Sequence, residues 1–139
     1  MSLPRFLAVA ALGLAAGRAA AADLSVVFDN VKPDGGKIRA AIFNGAADFP
    51  KTPWRGQEVS SDGKRVTVVF KDLPAGDYAA SGFQDVNGNQ KLDRNFVGLP
   101  LEPYGFSNGV RGGPGGPPSF ADATFHVGDQ PLTITVKLQ

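Results

Sequence analysis

The residues best suited to chemistry stand together at Asp85-Val86-Asn87-Gly88-Asn89-Gln90-Lys91-Leu92-Asp93. With Asp85 as position 1, side-chain oxygens fall at positions 1, 3, 5 and 9, and position 7 offers the Lys91 carbonyl. Calcium-binding loops present oxygens at these positions, because a tight turn sends alternate side chains inward toward a hard cation that takes about six to eight ligands. Two positions depart from that pattern. Gln90 stands where glycine is wanted, with Gly88 two residues early, and Phe96 stands where the bidentate acid should be, with Glu102 the next acid beyond it. The expected metal ligands are therefore Asp85, Asn87, Asn89, Lys91 and Asp93, with Ca²⁺ as a structural clip and water or Glu102 completing its shell. The competing account is an Asx-rich turn whose side chains bond their own backbone. With two carboxylates, affinity belongs to the weak extracellular range of about 10⁻⁴ to 10⁻³ M.

Other chemistry is thinly supplied. The single histidine, His126, alternates with Thr124 on a polar strand face, so Ser107 and Ser119 have no base unless the fold brings His126 to them. One histidine and no cysteine exclude multi-histidine sites, thiolate metal sites and thiol catalysis. Asp85 and Asp93 form a conceivable acid and base pair for a small hydrolase. The glycine-rich stretches lack the strand-to-helix setting of a phosphate loop.

The N-terminus has the order of an export signal: a basic start through Arg5, an apolar run from Phe6 to Ala16, then Ala20-Ala21-Ala22. The run is too short for a membrane span. Cleavage is expected after Ala22, which leaves residues 23–139 as one domain in the periplasm or secreted. Losing Arg5 and Arg18 changes 14 basic and 13 acidic residues to 12 and 13, a balance that points to neither nucleic acid nor an anionic membrane surface as partner. Without cysteine, stability must come from the core, a metal or a partner.

Positioning this loop falls to strands. Period-two alternation recurs at Leu24-Val26-Phe28, Ile38-Ala40-Ile42, Val66-Val68-Phe70, Tyr78-Ala80, Ala123-Phe125-Val127 and Leu132-Ile134-Val136-Leu138. Such one-sided strands need a second apolar layer, which predicts an all-β, antiparallel two-sheet sandwich of six to eight strands. Leu73-Pro74-Ala75-Gly76 predicts a hairpin or tight corner. A short helical turn is expected near Gly45 to Phe49, with Trp54 plugging the end of the core. Residues 85–118, rich in glycine and proline, read as one long loop whose Phe96, Val97, Leu99, Leu101, Tyr104 and Phe106 could fold back on the sandwich.

Three strings carry a family likeness: Phe70-Lys71-Asp72-Leu73-Pro74-Ala75-Gly76-Asp77-Tyr78-Ala79, Gln84 through Asp93, and Gly98-Leu99-Pro100 with Tyr104-Gly105-Phe106-Ser107-Asn108 and Pro118-Ser119-Phe120. Together they resemble the bacterial domain of unknown function DUF2141 over essentially the whole mature chain. That family favours Asp-Glu-Asn-Gly-Asn-Gly, where this chain has Val86 and Gln90. The resemblance implies an exported bacterial protein. More loosely, the Leu-Pro-Ala-Gly-Asp-Tyr corner is similar to that of transthyretin-like and carboxypeptidase-regulatory-like sandwiches, which bears on the fold alone, an Ig/transthyretin-like sandwich. The expected function is a non-catalytic binding or structural module of the cell envelope with an envelope ligand or protein as partner. Alternatives are the hydrolase and a module that pairs a partner onto a sheet edge such as residues 131–138.

Overall fold

In a computed structural model, residues 21–33, 35–113 and 115–139 are described. The signal segment over residues 1–20 lies outside them. Ala21 and Ala22, on the leader side of the expected cut, already pair with Pro74 and Leu73.

Among the described residues eight strands form two sheets, as the alternation predicts. Strands β4 (Val66–Pro74), β1 (Ala21–Asp29) and β8 (Leu132–Lys137) make a three-stranded sheet with β1 in the middle. The five-stranded sheet runs β3 (Arg55–Ser60), β2 (Lys37–Phe43), β5 (Gly76–Asp85) and β6 (Tyr104–Phe106), and β7 (Phe125–Val127) joins the start of β5. One pairing departs from the antiparallel expectation. β8 runs parallel to β1, with Val26 opposite Ile134, whereas all other strand pairs are antiparallel. Alternation specifies which side of a strand is buried but carries no information on the direction of its neighbour.

Each strand buries one face. Leu24, Val26 and Phe28 of β1 face Ile38, Ala40 and Ile42 of β2 and Tyr78 and Ala80 of β5, all within one core cluster. Gly82 completes that inner row of β5 because the ring of Phe28 occupies its space: a Cβ there would lie 2.2 Å from Phe28 Cε1. Between β4 and β5 the chain passes from one sheet to the other, so Pro74-Ala75-Gly76 is a corner and not a hairpin. The Tyr78 hydroxyl donates back to the Pro74 carbonyl at 2.6 Å and fixes that corner.

Side chains and chain ends close the seams between the sheets. Arg55 Nη1 and Gln57 Nε2 of β3 donate to the Lys71 and Val69 carbonyls of β4 at 2.6 and 2.7 Å. Opposite, Tyr104 and Gln139 exchange backbone hydrogen bonds of 3.2 and 3.0 Å beside β8. Strand β8, expected as a pairing edge, thus has β1 along one side and β6 near its end.

Four local expectations need correction. Trp54 is 38% exposed and stacks outside the core, 5.6 Å from Tyr78 and beneath the Arg55 guanidinium. Phe49 packs edge-on to Phe43, Phe106 and Phe120, an aromatic group apart from the main core cluster. Near Gly45 to Phe49 the chain makes turns closed by Asp48 O, which accepts from Lys51 N and Thr52 N at 2.8 Å. The 85–118 segment is not uniformly loop, since it contains β6 and a 3-10 turn, Ser107–Gly109. Of its apolar residues only Tyr104 and Phe106 lie on the sheet, while Phe96, Val97, Leu99 and Leu101 stand exposed. A short helix, α1 (Phe120–Ala123), precedes β7, started by Ser119 Oγ accepting from Asp122 N.

Candidate functional site

The acid-and-amide loop begins where β5 ends. Asp85 is the last residue of that strand and only 2% exposed. Its Oδ2 accepts from Gln90 N at 2.9 Å, across the loop, and its Oδ1 is buried without any hydrogen-bond partner. Gly88 and Gln90 take positive φ, 71° and 66°, so the glycine fits its place and Gln90 holds a conformation that glycine would adopt more easily. Asn87 Oδ1 accepts from Asn89 N, and Asn89 Oδ1 from Lys91 N, at 3.2 and 3.0 Å. The amide of Asn89 donates to Asp93 Oδ1 at 2.6 Å, and the amide of Asn87 donates to Asp93 Oδ2. Of the side chains singled out by spacing, Asn87 and Asn89 meet at Asp93, whereas Asp85 reaches the same loop through Gln90 N and Lys91 through its own N–H on Asn89. As folded here they also bond one another in the manner of an Asx turn.

Glu102, the next acid beyond the run, reaches the loop through the loop's backbone. It is 7% exposed, and its two oxygens accept from Val86 N at 2.6 Å and Asp93 N at 3.1 Å. A carboxylate sixteen residues downstream thus ties both ends of the 85–93 loop together. A β-bridge at Arg94 and Pro100, with Leu101 N donating to Asp93 O at 2.7 Å, returns the chain to bring it there. Only the fold reveals that return.

The register creates a second feature, on the outer face of the five-stranded sheet. One row across the strands reads Gly56, Ala41, Ser81, then Phe106; the next reads Glu58, Arg39, Phe83, Tyr104. Small side chains in the first row leave a floor, and larger ones in the second raise a wall. The result is a trough of about 1230 Å³ overhung by Leu99, Pro100, Pro117 and Pro118. Its polar edge is the Arg39–Glu58 pair, which Lys37 joins at 2.8 Å. The Lys37 ammonium and the Arg39 guanidinium hold the Glu58 carboxyl below its ordinary value. Aromatic walls with a few oriented polar groups are the kind of lining that ligand sites use.

The catalytic candidates are dispersed. His126 Nδ1 meets Asp77 Oδ1 at 3.0 Å on an exposed edge. Ser107 Oγ is buried, accepting from Ala80 N at 3.0 Å and donating to Ala123 O at 2.6 Å, and Ser119 caps α1. Asp85 and Asp93 carboxylates are each engaged by groups of their own loop. Among the described residues no helix is long and apolar enough to cross a membrane.

Residues 26–135 match the family model described as an uncharacterized protein conserved in bacteria, DUF2141, and the chain belongs to that family. No curated protein and no solved structure matches it.

Proposed function

We propose that this DUF2141 chain is an exported, non-catalytic binding module of the bacterial cell envelope, and that its ligand lies in the trough across the outer face of the five-stranded sheet. The observation that carries this reading is the register that aligns Gly56, Ala41 and Ser81 as a floor between aromatic and charged walls. Phe83, Tyr104 and Phe106 offer ring faces to apolar surface, while Arg39, Glu58 and Ser81 offer donors and acceptors to hydroxyls. That combination favours a sugar ring, which is apolar on its faces and hydroxylated around its edge, so an envelope glycan is the ligand class. Export rests on the basic, apolar and small-residue order of residues 1–22.

The experiment is titration of isotope-labelled protein with a panel of bacterial envelope glycans, following amide resonances. Shifts should gather at Arg39, Ala41, Ser81 and Phe83. Ser81→Tyr, which fills the floor, should weaken binding by at least tenfold while leaving the melting temperature within a few degrees. A glycan bound equally well by Ser81→Tyr would place the ligand elsewhere, and turnover of any glycan would replace the module with a hydrolase.

A further inference from the structure

Asp85 presents an energetic difficulty that the folded chain does not resolve. Removing a carboxylate from water is costly unless its oxygens are hydrogen-bonded and its charge is met. Asp85 is 2% exposed, yet Oδ1 has no partner. The cross-strand neighbour able to answer it is Lys37, whose ammonium is instead engaged with Glu58 at 2.8 Å. Close by in the chain's path is a second buried carboxylate, Glu102, whose oxygens receive the N–H of Val86, the residue after Asp85, and of Asp93. Both of Glu102's hydrogen bonds come from neutral backbone groups, and among the described residues neither Asp85 nor Glu102 takes part in a salt bridge.

We propose that a divalent cation, Ca²⁺ by the hardness of its donors, is held by the unpartnered Asp85 Oδ1 together with Asp93, the carboxamide oxygens of Asn87 and Asn89, and the Lys91 carbonyl, while Glu102 stays on the backbone and holds the two ends of the loop. The Asp85 oxygen that accepts from Gln90 N retains a further lone pair for the ion. Among the described residues no three of His, Cys, Asp and Glu converge as a metal cluster. The amide and main-chain oxygens are therefore essential members of the set, a mixture that suits Ca²⁺ and not the strict octahedron of Mg²⁺. On binding, Asp93 exchanges the amides of Asn87 and Asn89 for the ion. Because Gln90, Leu92 and Arg94 also line the trough, the ion sets the position of one of its walls. The cation site stands whether or not a glycan binds there.

Calorimetry with CaCl₂ and with MgCl₂, paired with melting curves in Ca²⁺ and in chelator, tests it. Wild type should bind one Ca²⁺ at least tenfold more tightly than Mg²⁺, and at ten times Kd the melting temperature should rise by roughly 3 to 6 °C. Asp85→Asn keeps the shape and the acceptor for Gln90 N but removes the orphaned charge. It should melt above wild type in chelator and show no calcium response; Asp93→Asn should lose most of the response while melting like wild type in chelator. Should wild type fail to bind Ca²⁺ at 10 mM, or should Asp85→Asn keep the wild-type calcium shift, the site does not exist. In that case the loop is the self-bonded turn.

Discussion

Gly82 shows how much a single position can decide. It faces inward on β5 where Phe28 lies against the backbone, and its missing side chain is the space the ring fills. Gly82→Ala should cost about 1 to 3 kcal/mol through overpacking, read as a lower urea midpoint with unchanged slope. In a Phe28→Leu background the penalty should shrink, because the atoms it would strike are gone; an equal penalty in both backgrounds would remove the ring as its cause. Legibility in sequence was uneven at this scale. Asp85, Asn87, Asn89 and Asp93 could be picked out because their spacing is local. Glu102 is named from sequence only as the next acid that with water would complete the shell; its bonds to Val86 N and Asp93 N depend on a return at Arg94 and Pro100 that no periodicity announces. Trp54 departs for a related reason: size and apolarity argue for burial, yet its ring lies over Tyr78 and under the Arg55 guanidinium at the surface.

At the scale of elements, the strands that alternate strictly were legible because each has a wet face and a dry one. Strand β3 was not. Arg55-Gly56-Gln57-Glu58 has no apolar stripe, since its inner positions Arg55 and Gln57 are spent on the carbonyls of β4. The trough was equally invisible, because Gly56, Ala41 and Ser81 belong to three different strands and meet only through register. The seam between β3 and β4 is testable as a unit. Replacing Arg55 and Gln57 together by alanine should cost about 1 kcal/mol, since the freed carbonyls turn to water. It should also speed hydrogen exchange in Arg55–Ser60 while leaving β1 protected. Unchanged exchange in β3 would mean that its pairing with β2 suffices to hold it.

For the whole molecule, acid sensitivity follows from three carboxylates that bridge elements. The Asp72 N–H and then the Lys71 ammonium lower Asp23; the Asn30 N–H and then Arg65 lower Asp29; Lys37 leads for Glu58. A carboxyl lowered in the folded state stabilises fully above its ordinary value and loses that contribution as pH falls through the lowered one. The urea midpoint should therefore hold steady from neutral pH and fall below the ordinary values of 4.5 for Glu58 and 3.8 for the aspartates. All three groups are exposed, so added salt should flatten the decline. Glu58→Gln should remove the earliest part of it, and an unaltered profile in that variant would assign the acid loss to other groups.

The parallel pairing of β1 with β8 has a consequence for how the molecule comes into being. Strand β1 is made first and sits at the centre of its sheet, yet one of its neighbours is the last strand to be made. Hairpin-like pairs such as β2 with β3 can close early, because little chain separates them, whereas β1 and β8 must meet across almost the entire length of the polypeptide. Until Leu132–Lys137 arrives, β1 carries a bare hydrogen-bonding edge. Closure of the three-stranded sheet therefore waits on β8, and the chain keeps an open strand edge until that late pairing forms.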